Sequence, residues 1–225
     1  MLKQSGIVFE SERAMDKIDI EQERGITIMS KCTSVIYKGY KINVVDTPGH
    51  ADFGGEVERI MSMVDGVCLV VCASEGPMAQ TKFVLEKALK QGTMPIVVIN
   101  KVDREMARVE DVENEVFDLF CTLEPNESQL EYPMLYASAK DGWASRDLDN
   151  RTKTVEELLD AIIEHVPSPK VDHTSKELKM LVTQTESSQY FGRLLIGKIT
   201  VNGNALYLEW KYQGWRHCAG SQPRR

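Results

Sequence analysis

Strand-like apolar runs alternate with helix-spaced segments through most of this chain, and this constrains the fold more than any other feature. Ser34 to Tyr37 and Lys41 to Val45 read as two strands joined at Lys38-Gly39-Tyr40. Gly55 to Met63 places Val57, Ile60, Met61 and Val64 at helical spacing. Gly66 to Ala73 is a continuous apolar run, the pattern of a strand covered on both faces. A helix over Ala79 to Lys90, stopping at Gly92, leads to a buried strand from Pro95 to Asn100. A helix over Val109 to Leu123, a strand over Tyr132 to Ala137 and a helix over Thr154 to His165, capped by Thr152 or Thr154, complete the rhythm. Such alternation specifies an α/β fold: a mostly parallel sheet with helices on both faces.

Pro167-Ser168-Pro169 interrupts the rhythm, because proline cannot continue a helix and holds the preceding residue extended. Beyond it, Lys179 to Thr185 and Phe191 to Val201 alternate like antiparallel strands. The expected organisation is a first domain over 1–167, the start of a β-rich second domain over 168–200, and a divergent tail over 201–225. That tail is aromatic and basic at Trp210 to Cys218, a pattern able to stack on single-stranded RNA but more simply read as translated intron or frame-shifted sequence.

Composition excludes several classes. A hydrophobic share of 42% with 27% charged residues suits a chain that buries a core. The longest apolar run, Val67 to Ala73, falls far short of the roughly 20 residues of a membrane-spanning helix, so no membrane association is expected. Five cysteines with no CxxC pair read as reduced thiols, which together with the absence of a secretory signal suggests a reducing compartment. Cys68 and Cys72 share one face of a strand, but no third or fourth metal ligand lies near them in sequence. The net charge of −7 argues against non-specific coating of nucleic acid.

Three short motifs each follow directly on a strand, at the edge where parallel sheets bind ligands. Asp46-Thr47-Pro48-Gly49-His50 follows the strand ending at Val45; a carboxylate there can hold magnesium through water, and a glycine lets its amide approach a phosphate. In Asn100-Lys101-Val102-Asp103, a fixed aspartate can accept hydrogen bonds from the imino and amino groups of guanine. Adenine would set a lone pair against the same carboxylate, at a cost of about 1–3 kcal/mol or more. In Ser138-Ala139-Lys140, a backbone amide could meet the purine carbonyl and Ser138 could brace Asp103. Alone, each tetrapeptide is an ordinary turn. Their order, and their placement after successive strands, point to a guanine nucleotide.

With these motifs, the stretches Glu23 to Ile28, Val44 to Arg59, Met61 to Asp65, Gly76 to Met78, Pro95 to Arg104 and Val116 to Phe120 resemble the G domain of translational GTPases, the elongation-factor-like group, and most closely the BipA/TypA type. The resemblance runs to about Thr200 and implies a P-loop-GTPase-like sheet followed by the beginning of a β-barrel. It implies GTP or GDP and Mg2+ as cofactors, with Thr27 and Asp46 as metal-binding residues, Asp46 acting through water. It further implies that Thr27, Asp46, Gly49, Asn100, Lys101, Asp103, Ser138, Ala139 and Lys140 bind nucleotide, and that His50 is catalytic, orienting the attacking water. The implied activity is GTP hydrolysis coupled to conformational switching, the implied partner is the ribosome, and the implied state is a cytoplasmic monomer, or an organellar one if a targeting peptide precedes Met1. The segment Asp16 to Arg24 would belong to a mobile switch.

The family's G-x-x-x-x-G-K-[ST] phosphate loop does not occur in these 225 residues. The nearest match, Gly192 to Lys198, has Ile199 where Ser or Thr must bind magnesium, and it lies in alternating sequence with no helix after it. The expectation is a gene model or fragment truncated at its start, its first strand missing from between the Lys41–Val45 and Gly66–Ala73 strands. Five lost contacts to charged phosphate at roughly 1.5–3 kcal/mol each total about 8–15 kcal/mol. A micromolar affinity is worth only about 8 kcal/mol. Nucleotide affinity of the chain as given is therefore expected to be very weak. The alternative reading is a catalytically inactive module that binds a partner through its remaining surface.

Overall fold

The computed structural model describes residues 30–48, 53–169, 179–188, 190–201 and 204–211. The chain forms two compact units, Met1–Ser168 and Pro169–Arg225.

In the first unit, β1 (Lys31–Tyr37) and β2 (Tyr40–Asp46) form an antiparallel hairpin. A second sheet holds β3 (Gly66–Cys72), β4 (Met94–Asn100), β5 (Met134–Ser138) and β6 (Trp143–Ser145), in that spatial order. β3, β4 and β5 run parallel, and β6 closes the edge antiparallel to β5. The connecting helices are α1 (Gly54–Met61), α2 (Ala79–Lys90), α3 (Val109–Thr122), the single turn α4 (Glu127–Leu130) and α5 (Glu156–His165).

β4 is apolar from Met94 to Ile99 because both of its faces are covered, and alternate residues go to different cores. Val97 and Ile99 join Leu69, Val71, Leu85, Val112, Val116 and Phe120 beneath α2 and α3. Ile96 and Val98 join Leu135, Val155, Leu158 and Ala161 beneath α5. On α3, Val112, Val116 and Phe120 recur every four residues and are wholly buried, the inward stripe of an amphipathic helix. Phe120 stacks on Tyr132 with ring centroids 4.0 Å apart.

β3 departs from its sequence pattern. Val67, Leu69 and Val71 are buried, but Val70 is 57% exposed and Cys68 is exposed. The physical reason is its position: among the described residues β3 is at the edge of its sheet, and the core beneath α5 takes residues from β4, β5 and β6 but none from β3, which leaves Cys68 and Val70 open.

The hairpin turn is tighter than the expected Lys38-Gly39-Tyr40 connection, since Tyr40 already pairs with Tyr37. Lys38 and Gly39 both take positive φ, 48° and 82°, as a two-residue type I′ turn demands. Lys38 Nζ then reaches Asp160 Oδ1 of α5 at 2.6 Å. This bond, ahead of charge attraction, holds the Asp160 carboxyl below its ordinary value of 3.8 and the Lys38 ammonium above its ordinary 10.5. A depressed carboxyl stabilises the fold above its unfolded value, and that contribution is lost as pH falls through the folded one; a raised ammonium contributes below 10.5 and loses it above. The clasp therefore holds between these limits and opens in acid. Lys38→Met is expected to move the Asp160 13C titration midpoint up toward 3.8, a measurement that refutes the clasp if nothing moves.

Two short elements, β6 and α4, fall where the sequence suggests only loop. α4 is pinned by Gln129, which is buried and donates to the carbonyls of Leu89 (3.2 Å) and Thr93 (3.1 Å). Helix α5 starts at Glu156, whose amide donates to Thr154 Oγ1 at 3.4 Å, whereas the Thr152 hydroxyl is spent on the Ala144 carbonyl at 2.8 Å.

The second unit is a meander of β7 (Lys179–Ser188), β8 (Gly192–Val201) and β9 (Asn204–Lys211). The near-match to a phosphate loop lies inside β8, paired on both sides by antiparallel strands. β9 falls within the stretch read as a divergent tail; its residues Leu206, Leu208 and Trp210 alternate with polar or small ones, which suits a strand added to β8. Between β7 and β8 the register jumps from Val182↔Gly197 to Gln184↔Ile196, a bulge that leaves Thr183 over, with its hydroxyl donating to the Ile196 carbonyl at 3.3 Å.

Candidate functional site

The ends of β4 and β5 stand side by side, with Cys72, Asn100 and Ala137 in register across three parallel strands. From this rim the two loops carrying Asn100 to Asp103 and Ser138 to Lys140 emerge together, and one atom ties them. Asn100 Oδ1 accepts from the Lys101 amide at 2.8 Å and from the Ala139 amide at 3.0 Å. The Val102 amide adds a bond to the Ala137 carbonyl at 3.3 Å. Lys101 takes φ 65°, a left-handed conformation rare outside glycine and one that costs of order 1–3 kcal/mol. The tether is the role the sequence left unassigned to Asn100, and adjacency of strands β4 and β5 is the signal that could have found it.

Asp103 lies exposed at the mouth of this pair of loops. The Ser138 hydroxyl beside it, then its own backbone amide, then the charges of Lys140 and Arg104 hold its carboxyl below the ordinary carboxylate range. An ionised, exposed carboxylate between two tethered loops is an acceptor pair, which is what recognition of an N–H/NH2 edge requires. Ser138 itself is fully buried. Its hydroxyl donates to Asp141 Oδ2 at 2.8 Å, a partner that the sequence did not flag. The Ala139 amide is already engaged by Asn100, so a purine carbonyl would have to share that hydrogen.

Asp46 ends β2 opposite Lys31 and is exposed. Thr27, Gly49 and His50 lie outside the described residues. Among the described residues no group of three or more His, Cys, Asp or Glu side chains could hold a metal ion, and no helix is long and apolar enough to cross a membrane. Cys68, Cys72 and Cys121 are free thiols.

The model of the elongation factor Tu GTP binding domain matches residues 1–168. The large ribosomal subunit assembly factor BipA of Bacillus subtilis (strain 168) is 55% identical over 189 residues, covering 84% of this chain and 31% of that protein. The factor of the same name from Escherichia coli (strain K12) is 50% identical over 204 residues, covering 88% of this chain and 33% of its own. The chain thus spans about a third of the length of these curated relatives. In structure it resembles a bacterial selenocysteine-specific elongation factor EF-Sec, with a TM-score of 0.66 at 23% identity over 89% of this chain and 32% of that one, a likeness of fold alone. It also resembles the elongation factor SelB of Methanococcus maripaludis, solved with the GTP analogue GppNHp, with a TM-score of 0.60 at 25% identity over 78% of this chain and 36% of that one. The first 168 residues therefore belong to the elongation factor Tu GTP-binding domain family.

Proposed function

We propose that this chain is the guanine-recognising part of a GTP-hydrolysing, ribosome-associated translation factor of the BipA/TypA type. The observation that carries the reading is the tether: one side-chain oxygen of Asn100 joins two loops that present an ionised Asp103 at the carboxyl ends of parallel strands. In this reading Asn100, Lys101, Asp103, Ser138, Ala139 and Lys140 form the base pocket. Thr27, Asp46 and Gly49 face the phosphates, and His50 orients the attacking water. An exposed carboxylate such as Asp46 suits Mg2+, which keeps several waters and takes its other ligands from phosphate; the ion would neutralise charge on the phosphates. The large-subunit assembly role in the relatives' names supports the ribosome as partner. The setting we propose is a cytoplasmic monomer.

Because base preference does not depend on phosphate contacts, it is the property to test. Millimolar GMP and AMP titrated into the full chain, followed by amide chemical shifts, should give tighter binding of GMP. Asp103→Asn replaces one acceptor by a donor facing the base's own donors, and is expected to cut the preference by about 10- to 100-fold, the equivalent of one charged hydrogen bond. Equal affinity of the unaltered chain for GMP and AMP would overturn the reading.

A further inference from the structure

The loop that carries Asp103 leaves β4 after Asn100 and enters α3 at Val109. It is built as two tight turns end to end: the Arg104 amide donates to the Lys101 carbonyl at 3.2 Å, and the Ala107 amide to the Arg104 carbonyl at 3.0 Å. Turns joined this way move together, so whatever holds Arg108 also holds Asp103. Ala73, just past β3, takes both ends of the loop. Its amide donates to the Asn100 carbonyl at 2.8 Å, and its carbonyl accepts from the Arg108 amide at 2.9 Å.

The Arg108 side chain extends that grip. Nε donates to the Ser74 carbonyl at 3.2 Å and Nη2 to the Glu75 carbonyl at 3.3 Å. One residue thus engages three successive carbonyls of the loop after β3. Glu115, two turns along α3, holds the same guanidinium from the other side: Nη1 meets Oε1, and Nη2 lies 3.3 Å from Oε2. Gly76 makes room for this carboxylate, since a Cβ there would lie 2.1 Å from Glu115 Oε2. Only a rigid planar fork can serve these acceptors together; a lysine ammonium is a point charge on a flexible stem.

We propose that Arg108 is a positioning residue for base recognition, clamping the far end of the Asp103 loop to the loop after β3 and so fixing where Asp103 meets guanine. This rests on the guanine-nucleotide reading above. Asp103 stands between two anchors, the Asn100 tether before it and the Arg108 fork after it. Without the fork, that end of the loop hangs on the single backbone bond to Ala73, and a base must order Asp103 as it binds.

The test uses the full chain with Arg108→Met, which removes the fork, and Arg108→Lys, which keeps the charge without it. Arg108 is partly exposed, so neither change opens a core. Its charge attracts GMP and AMP alike, because both carry the same phosphate, so the ratio of their affinities reads the loop and not the charge. The ratio is expected to fall about fivefold in both variants, within the range of one net hydrogen bond. Hydrogen exchange of the Arg104 and Ala107 amides should speed up, while Val116 and Phe120 of α3 keep their protection. Glu115→Gln should lower the ratio on its own but add nothing to Arg108→Met, because it acts through the guanidinium. A merely structural ion pair behaves differently: lysine restores the ratio, or α3 loses protection together with the loop, and either result overturns the proposal. So does an unchanged ratio in a chain that prefers GMP, unchanged exchange at Arg104 and Ala107, or a Glu115→Gln effect that simply adds to that of Arg108→Met. If the unaltered chain shows no GMP preference, the guanine-nucleotide reading fails instead, and exchange at Arg104 and Ala107 still decides whether Arg108 holds the loop.

Discussion

Phe120→Ala is expected to destabilise the first unit by about 3–5 kcal/mol, a large part of the 5–15 kcal/mol that holds a domain of this size together. Phe120 is the largest wholly buried side chain among the described residues, stacked on Tyr132 and packed among residues from β3, β4 and α3. The cavity would open between α3 and the sheet, where Val112 and Val116 of the same stripe cannot shift without leaving β4. Chemical denaturation followed by the fluorescence of Trp143, which lies in the same core, would report it. A loss below 1 kcal/mol would mean that the α3 layer collapses to fill the space, contrary to the packing described.

The second large effect is expected at Gly197. A Cβ placed there would lie 1.9 Å from the Leu181 carbonyl oxygen and 2.9 Å from Val182 Cα, and both atoms are backbone. The cause is the bulge at Thr183, which brings β7 down over β8 at the Val182↔Gly197 pair. A side chain can rotate away from a clash; a ladder carbonyl can only break its bonds. Gly197→Ala should cost about 3 kcal/mol, the upper end for overpacking, in a sheet whose three strands give little reserve. Hydrogen exchange of the β7 and β8 amides would show lost protection, and full protection would place the bulge elsewhere. The same glycine makes Gly192 to Lys198 look like a phosphate loop in sequence, so a residue demanded by strand packing imitates one demanded by phosphate.

How far the sequence carries depends on whether the interaction is local. The strands and helices around β4 are legible because each side chain's period matches the face it buries: 96 and 98 to one core, 97 and 99 to the other. The cover on β3 was not legible, because whether a strand is central or at an edge is decided by its neighbours and not by its own residues. Helix α4 was missed because a single turn has no period to read; its anchor is a buried amide reaching carbonyls 36 and 40 residues away. β9 was missed because its placement depends on the edge of β8. In the site, Asp103 and Ser138 could be named from motif order, but the tether through Asn100 and the bond from Ser138 to Asp141 are contacts made only by folding.

That tether has a consequence for timing. The two amides gathered by Asn100 Oδ1 come from Lys101, one residue on, and Ala139, which is 39 residues on. As the chain leaves the ribosome from its amino end, the first bond can form at once, but the second must wait until β5 has been synthesised and zipped against β4. The tether therefore arrives late and all at once, so a half-made chain holds Asn100 without the second amide that fixes its loop.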